Sequence, residues 1–565
     1  MIRKCVAAVA ALLLAGCAAQ RPVPAPTPTP SSAIEVQILA LNDFHGNLER
    51  PDPVRFQLGP DTFATADAGG AAIVAEGLAE LRAGHDRTIT VAAGDLIGAS
   101  PLASAYFLDE PTIDAMNLMG LSLASVGNHE FDKGSAELLR MQKGGCEKYT
   151  TRVPCRLERF RGARFQYLAA NVFRADGSTL FPSTAIRQFG SIRIGFIGMT
   201  LKETATLVAP AGVAGLRFAE EAATANALVP QLKSAGADAV VLLIHQGGKT
   251  PETYRLGDCD GLSGDILPIL DRLDPAIATI VSGHTHNAYA CEIDRGGARR
   301  LLTSAGKYGY FVSDLRLSFD PRTRRLLAQH ARNVPMIRPG TGDPAVAALV
   351  KRYADAAAPA AARVVGRLSA PLAKSTDEQR ESTVAHLIAD AQLGWTRDKD
   401  RGDADLAFIN SGGVRTDLVP RADGSVTYGQ IFALQPFGNN LVVKTLTGAQ
   451  LKALLEQQFT DKAGRAQLVP STLIPSANFG FAYDLSKPLG QRIVAMELDG
   501  KPIDPNGRYR VTVNNFLASG GDGYSVLTQG TESSDAGLDL DALEAWLATN
   551  PRTPAGGRSR DVTPG

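Results

Sequence analysis

Ser125-Val-Gly-Asn-His-Glu-Phe-Asp132 is the stretch on which the reading of this chain turns. Val126 closes an apolar run, and Gly127 lets the backbone turn tightly as it leaves a strand. Asn128 then offers an amide oxygen and His129 an imidazole at the same strand end. Asp132, three residues on, is spaced to accept a hydrogen bond from His129 and fix its tautomer. An oxygen ligand beside a carboxylate-oriented histidine suits metal-assisted hydrolysis. A capped turn with a solvated histidine has the same local pattern, so the decision falls to other stretches.

Those stretches repeat one arrangement. Val36–Leu41 reads as a strand ending in Asn42-Asp43-Phe44-His45, and Thr88–Ala92 as a strand ending in Ala93-Gly94-Asp95. Ile192–Ile197 is a further strand, Ala239–Ile244 ends in His245, and Ile277–Ser282 ends in Gly283-His284-Thr285-His286. Gly69–Ala83 and Thr112–Met119 read as helices between them. Strands alternating with helices predict a layered α/β domain, with ligand residues gathered beyond the carboxyl ends of the strands. Of the eight histidines in the chain, His45, His129, His245, His284 and His286 fall in these stretches. One Asp-x-His says little; the ordered set of Asp-x-His, Gly-Asp, Gly-Asn-His-Glu, His and Gly-His-x-His says much more.

The set resembles the calcineurin-like metallophosphoesterases. The resemblance implies a four-layer α/β/β/α sandwich carrying two divalent ions, with zinc, manganese or cobalt suiting mixed His and carboxylate ligands. By position, Asp43, His45, Asp95 and His286 are expected to hold one ion. Asp95, Asn128, His245 and His284 are expected to hold the other, with Asp95 bridging. The resemblance also makes His129, oriented by Asp132, the group that stabilises or protonates the leaving oxygen.

Beyond this domain, placed at 33–338, an Ala-rich stretch predicts a linker helix within 339–365. A second domain is expected over 366–550 and a flexible tail over 551–565. In the second domain, Phe408-Ile-Asn-Ser-Gly-Gly-Val-Arg415 runs from a strand into a Gly-rich turn. Gln435-Pro-Phe-Gly-Asn-Asn440 is a turn holding an aromatic and an amide, and Asn514–Tyr524 sets Phe516 six residues before Asp522. Arg415 suits a phosphate, Phe437 and Phe516 suit the two faces of a base, and Asp522 suits ribose hydroxyls. Together these stretches resemble the C-terminal domain of 5′-nucleotidases, an α/β domain with a mixed sheet. That resemblance adds Asn439 as a base contact, Asn410 as a phosphate contact and Arg380 as a second phosphate arginine. The sequence departs from it nearby, reading Ala385-His386-Leu387 where many relatives have Gly-Asn-Leu.

The ends and the composition set the context. Arg3 and Lys4 precede the apolar run Val6–Leu14, and Leu14-Ala-Gly-Cys17 is similar to a bacterial lipobox. Residues 1–17 are therefore expected to be a signal ending at a lipidated Cys17, with 18–32 a Pro-rich tether to the outer membrane. With 58 basic and 58 acidic side chains, the chain lacks the charge of a nucleic-acid binder, and no obligate protein partner is evident. Cys146, Cys155, Cys259 and Cys291 remain, and the shortest loops pair Cys146–Cys155 and Cys259–Cys291.

The combined reading is a metal-dependent 5′-nucleotidase that acts on nucleoside 5′-monophosphates and extends to UDP-sugars, with a UDP-sugar hydrolase as a close rival. Competing readings are a 2′,3′-cyclic-nucleotide 2′-phosphodiesterase/3′-nucleotidase, a thiosulfate-oxidation hydrolase of the same superfamily, and a non-catalytic nucleotide-binding surface protein.

Overall fold

The computed structural model describes residues 33–564 apart from 60–61, 151, 209, 255–257, 375–381 and 461–472. The signal, the tether, Cys17 and Arg380 therefore lie outside the described residues. No helix among the described residues is long and apolar enough to cross a membrane.

The first domain is built on two six-stranded sheets. In one, the strand order is Leu326–Pro335, Phe311–Phe319, Ile34–Leu41, Thr88–Ala93, Leu121–Ser125 and Gln166–Leu168. In the other it is Ala288–Arg295, Ala298–Ala305, Ile277–Ser282, Ala239–His245, Ile192–Thr200 and Thr184–Phe189. The inner strands of each sheet run parallel, which explains their near-continuous apolar sequence. Alternation along a strand divides the side chains between two cores. Ile38 and Ala40 join Val91, Leu123, Phe196 and Leu243 between the sheets. Leu39 and Leu41 face the opposite way, into a core shared with helices Ala71–Arg82, Glu110–Leu118 and Ser135–Lys143. Helices Glu221–Ser234 and Ile266–Leu270 cover the outer face of the second sheet. The result is the four-layer α/β/β/α sandwich. Disulfides join Cys146 to Cys155 and Cys259 to Cys291, each within the first domain.

The connector helix spans Pro344–Ala362, with Asp343 accepting from the Ala345 and Val346 N–H groups at its start. Its Tyr353 packs edge-on against Phe107 of the first domain. Strand Val364–Arg367 follows and already pairs with Ser425–Thr427. The second domain has a mixed five-stranded sheet in the order Leu473–Pro475, Leu406–Asn410, Arg508–Asn514, Asn440–Thr447 and Thr531–Leu538. A smaller sheet stands beside it. Leu102 and Ala105 of the first domain complete an apolar cluster with Ile431 and Phe432 of the second, so the two domains share buried surface.

The chain end corrects one expectation. Residues 551–564 of the expected tail are not free, because Ser559–Asp561 adds a parallel strand to Phe479–Tyr483. The Arg558 guanidinium donates to both oxygens of Asp390, each at 2.8 Å, and to the Pro475 carbonyl. The low local hydropathy of the tail hides a buried, bidentate ion pair. Breaking such a pair leaves an uncompensated charge and costs about 3–5 kcal/mol. Arg558→Ala should therefore lower the urea midpoint of the chain by a corresponding amount; an unchanged midpoint would mean that the tail is ornamental.

Candidate active site

The functional side chains sit where parallel strands run out. Asp43 and His45 follow Ile34–Leu41, Asp95 follows Thr88–Ala93, and Asn128 and His129 follow Leu121–Ser125. His245 ends its own strand, and His284 and His286 follow Ile277–Ser282. The loops are laced together by backbone bonds, with the Asp43 N–H donating to the Gly94 carbonyl and the His45 N–H to the Asp95 carbonyl, both at 3.0 Å. The turns are tight. Asp43, His45, Asp95, His284 and His286 all have positive φ, between 47° and 73°. L-residues seldom hold that conformation, and its occurrence at five positions of one site marks strain kept for function. Gly127 is required by proximity, because a Cβ there would stand 2.2 Å from Asp95 Oδ1.

Their ligand atoms form overlapping groups, each within 4.8 Å: Asp43, His45 and His286; His45, Asp95 and His129; Asp95, His245 and His284. The second nitrogen of two rings is already committed. His45 Nδ1 lies 2.9 Å from the Gly98 carbonyl and His245 Nδ1 lies 2.7 Å from the Ala93 carbonyl, so each Nδ1 donates and each Nε2 is left to face the ligand cluster. His45 Nε2 then meets His286 Nε2 at 3.1 Å. Burial holds both of these rings well below the ordinary imidazole range, so neither is charged. His245 Nε2 is 2.9 Å from Asp95 Oδ2. His284 Nδ1 faces Asn128 Oδ1 at 3.1 Å, and its backbone N–H donates to the Asp43 carboxylate. Buried imidazole nitrogens gathered beside carboxylates are the donor set that suits transition-metal ions. Burial opposes the imidazolium of His245, but Asp95 outweighs it and raises that ring to about 10.

His129 stands apart. Its Nδ1 lies 2.8 Å from Asp132 Oδ2, and its backbone N–H donates to Asp95 Oδ1 at 2.8 Å. Burial disfavours its charged form, yet Asp132 and then Asp95 prevail and raise its pKa. The ring is thus biased toward holding the proton that an acid must give.

The second domain supplies the facing wall. Asn128, His129, Asp132 and His284 share one cavity with Asn410, Arg415, Phe437, Asn439, Phe516 and Asp522. Asn410 Nδ2 donates to Asp522 Oδ2 at 2.6 Å, and Asn514 Nδ2 donates to Asn410 Oδ1 at 3.3 Å. The amide expected to meet phosphate is therefore engaged in aiming the carboxylate expected to meet ribose. His386, where the sequence departs from its relatives, is buried in helix Thr383–Thr396 rather than lining this cavity.

Comparison with known proteins agrees with this two-walled geometry. Residues 36–288 match the calcineurin-like phosphoesterases, and residues 364–529 match the 5′-nucleotidase C-terminal domain. The chain belongs to the 5′-nucleotidase family. It is 28% identical over 493 residues to endonuclease YhcR of Bacillus subtilis, covering 86% of this chain but only 37% of YhcR. It is 25% identical to protein UshA of Yersinia enterocolitica, over 91% of this chain and 90% of UshA. Its fold is similar to the crystal structure of a 5′-nucleotidase precursor from Thermus thermophilus, with a TM-score of 0.74, 26% identity, and coverage of 94% of this chain and all of the other. Members of this family are hydrolases of phosphoric esters.

Three residues matter here that sequence reasoning misses. Glu130 lies inside the deciding motif, yet no side-chain pattern there points to a role for it. It is buried, and its Oε2 accepts from the Gly127 and Asp95 N–H groups at 2.7 and 2.8 Å, while Oε1 accepts from Leu96 at 2.8 Å. One carboxylate thereby ties two ligand loops together. Lys307 lies over the ring of Tyr308, which meets His45 edge-on, and Lys374 Nζ donates to the Arg415 carbonyl at 3.3 Å. Burial, then the neighbouring Arg415, holds both lysines down to about 8. The clue to Lys307 is Ala305-Gly-Lys-Tyr-Gly309, another Gly-bracketed turn at a strand end. Lys374 has no such clue.

Glu130→Gln places an amide NH₂ where backbone N–H groups need an acceptor. Unsatisfied buried donors cost about 1–3 kcal/mol each, and loss of such outer support lowers metal affinity by about 10–100-fold. Dialysis of the variant against a metal buffer should show this weakening although Glu130 touches no ion; unchanged affinity would remove it from the site.

Proposed function

We propose that this chain is a 5′-nucleotidase, hydrolysing nucleoside 5′-monophosphates to nucleoside and phosphate. The observation that carries the reading is the single cavity in which His129 and Asp132 of the first domain face Phe437, Phe516, Asp522 and Arg415 of the second. A metal-only phosphatase site needs no aromatic pair with a carboxylate opposite it, and a pure nucleotide binder has no use for the His129–Asp132 pair.

The residues divide the work. Asp43, His45, Asp95 and His286 fit one divalent ion, and Asp95, Asn128, His245 and His284 fit the second. Such a pair, when bound, supplies positive charge that polarises a phosphoryl group and acidifies water. Arg415 meets the phosphate oxygens with a planar fork of donors. Phe437 and Phe516 hold the base between their faces, and Asp522, aimed by Asn410, accepts from ribose hydroxyls. These contacts set the phosphorus in line with the ligand cluster. His129 gives its Nε2 proton to the departing 5′-oxygen while Asp132 holds Nδ1–H, a contribution of roughly 10²–10⁴ in rate. Export and lipid attachment at Cys17 belong to the same proposal. A Cys17→Ser chain that still fractionates with membranes would contradict them.

Phosphate release from AMP, UDP-glucose and 2′,3′-cyclic AMP tests the reading. AMP should be turned over fastest. Asp522→Ala should raise KM for AMP about 10–100-fold, the loss of charged hydrogen bonds of roughly 1.5–3 kcal/mol, with a smaller change in kcat. Preference for the cyclic nucleotide, or indifference to Asp522→Ala, would favour one of the competing activities.

A further inference from the structure

Phe437 does not wait idly for a base. Its ring lies nearly parallel to the imidazole of His129, at 18° with centroids 5.9 Å apart. The Arg415 guanidinium carbon is 5.6 Å from the Phe437 centroid. The same imidazole meets His45 edge-on at 5.1 Å and is tied at Nδ1 by Asp132. It is thus held by ligand-cluster residues on one side and by a second-domain ring on another. His129 follows strand Leu121–Ser125 of the first domain, whereas Phe437 follows helix Tyr428–Leu434 of the second. The stack therefore exists only while the domains face each other as they do here.

Resting on the nucleotidase reading and extending it, we propose that Phe437 is a positioning residue for His129: the ring that carries the base also sets the imidazole that serves the leaving oxygen. A planar ring has two faces. With His129 over one, a base stacks on the other, and the base, the phenyl ring and the imidazole form one column. Seating the base presses the ring onto His129 and limits its swing about the Cβ–Cγ bond. Binding at one end of the nucleotide thereby orders the proton donor at the other, so part of the base contact appears in kcat rather than in KM.

The test uses ribose 5-phosphate, a phosphomonoester with the sugar but no base. If Phe437 serves only the base, Phe437→Ala leaves turnover of ribose 5-phosphate as in the wild type. If it positions His129, kcat for that substrate falls about three- to tenfold, the scale of one aromatic contact, while KM holds and Phe437→Tyr restores the rate. A double-mutant cycle completes the test. In a His129→Ala background, Phe437→Ala should cost nothing further. An equal loss in both backgrounds, which is also what a misfolded variant gives, overturns the proposal, as does no loss in either. Wild-type turnover of AMP is scored separately: its absence alongside turnover of ribose 5-phosphate would sink the nucleotidase reading and leave the cycle readable.

Discussion

Asp95 is buried at the mouth of the sandwich, with His245 Nε2 at 2.9 Å and His45 Nε2 at 3.8 Å from its Oδ2. A carboxylate there demands positive charge, because an unpaired ion in a dry interior is prohibitively unstable. The surrounding structure answers that demand in layers. Backbone N–H of His129 holds Oδ1, Glu130 holds the turn, and carbonyls of Ala93 and Gly98 turn the flanking imidazoles inward. The left-handed turns at Asp43, His45, Asp95, His284 and His286 are what let so many short loops bring their side chains to one point. Two close-packed sheets supply the rigidity that keeps those turns strained.

The same logic organises the second domain with less strain. Asn410 ends strand Leu406–Asn410, Phe516 and Asp522 lie beyond strand Arg508–Asn514, and Asn410 aims Asp522 much as Asp132 aims His129. The cavity is complete only when both walls are present. The shared cluster of Leu102, Ala105, Ile431 and Phe432 holds the domains so that each wall completes the other.

Much of this was legible in the sequence because parallel strands leave a clear mark. Apolar runs ending in Asp, Asn or His pointed to the layered fold, and the order of those endings pointed to the ligand set. The bridge between the halves was legible as an Ala-rich helix. What the sequence hid has physical reasons. Glu130 works through backbone N–H groups, which carry no side-chain signature. Lys374 acts from a turn whose pairing is long-range. Arg558 sits in a stretch of Gly, Pro and Arg that reads as solvent-exposed, and only the distant Asp390 shows otherwise. Phe437 was readable as a base platform but not as a neighbour of His129, since that contact crosses the domain boundary.

Anomalous diffraction from crystals of the manganese- or zinc-loaded protein would show whether Asp95 is shared by two cations, as its place in two of the ligand groups implies. Two peaks should appear, one on either side of Asp95 and both within bonding distance of its carboxylate, separated by about 3.5–4 Å. Asp95→Asn should lose both. A single peak, or two of which neither touches Asp95, would mean that Asp95 is not shared between cations.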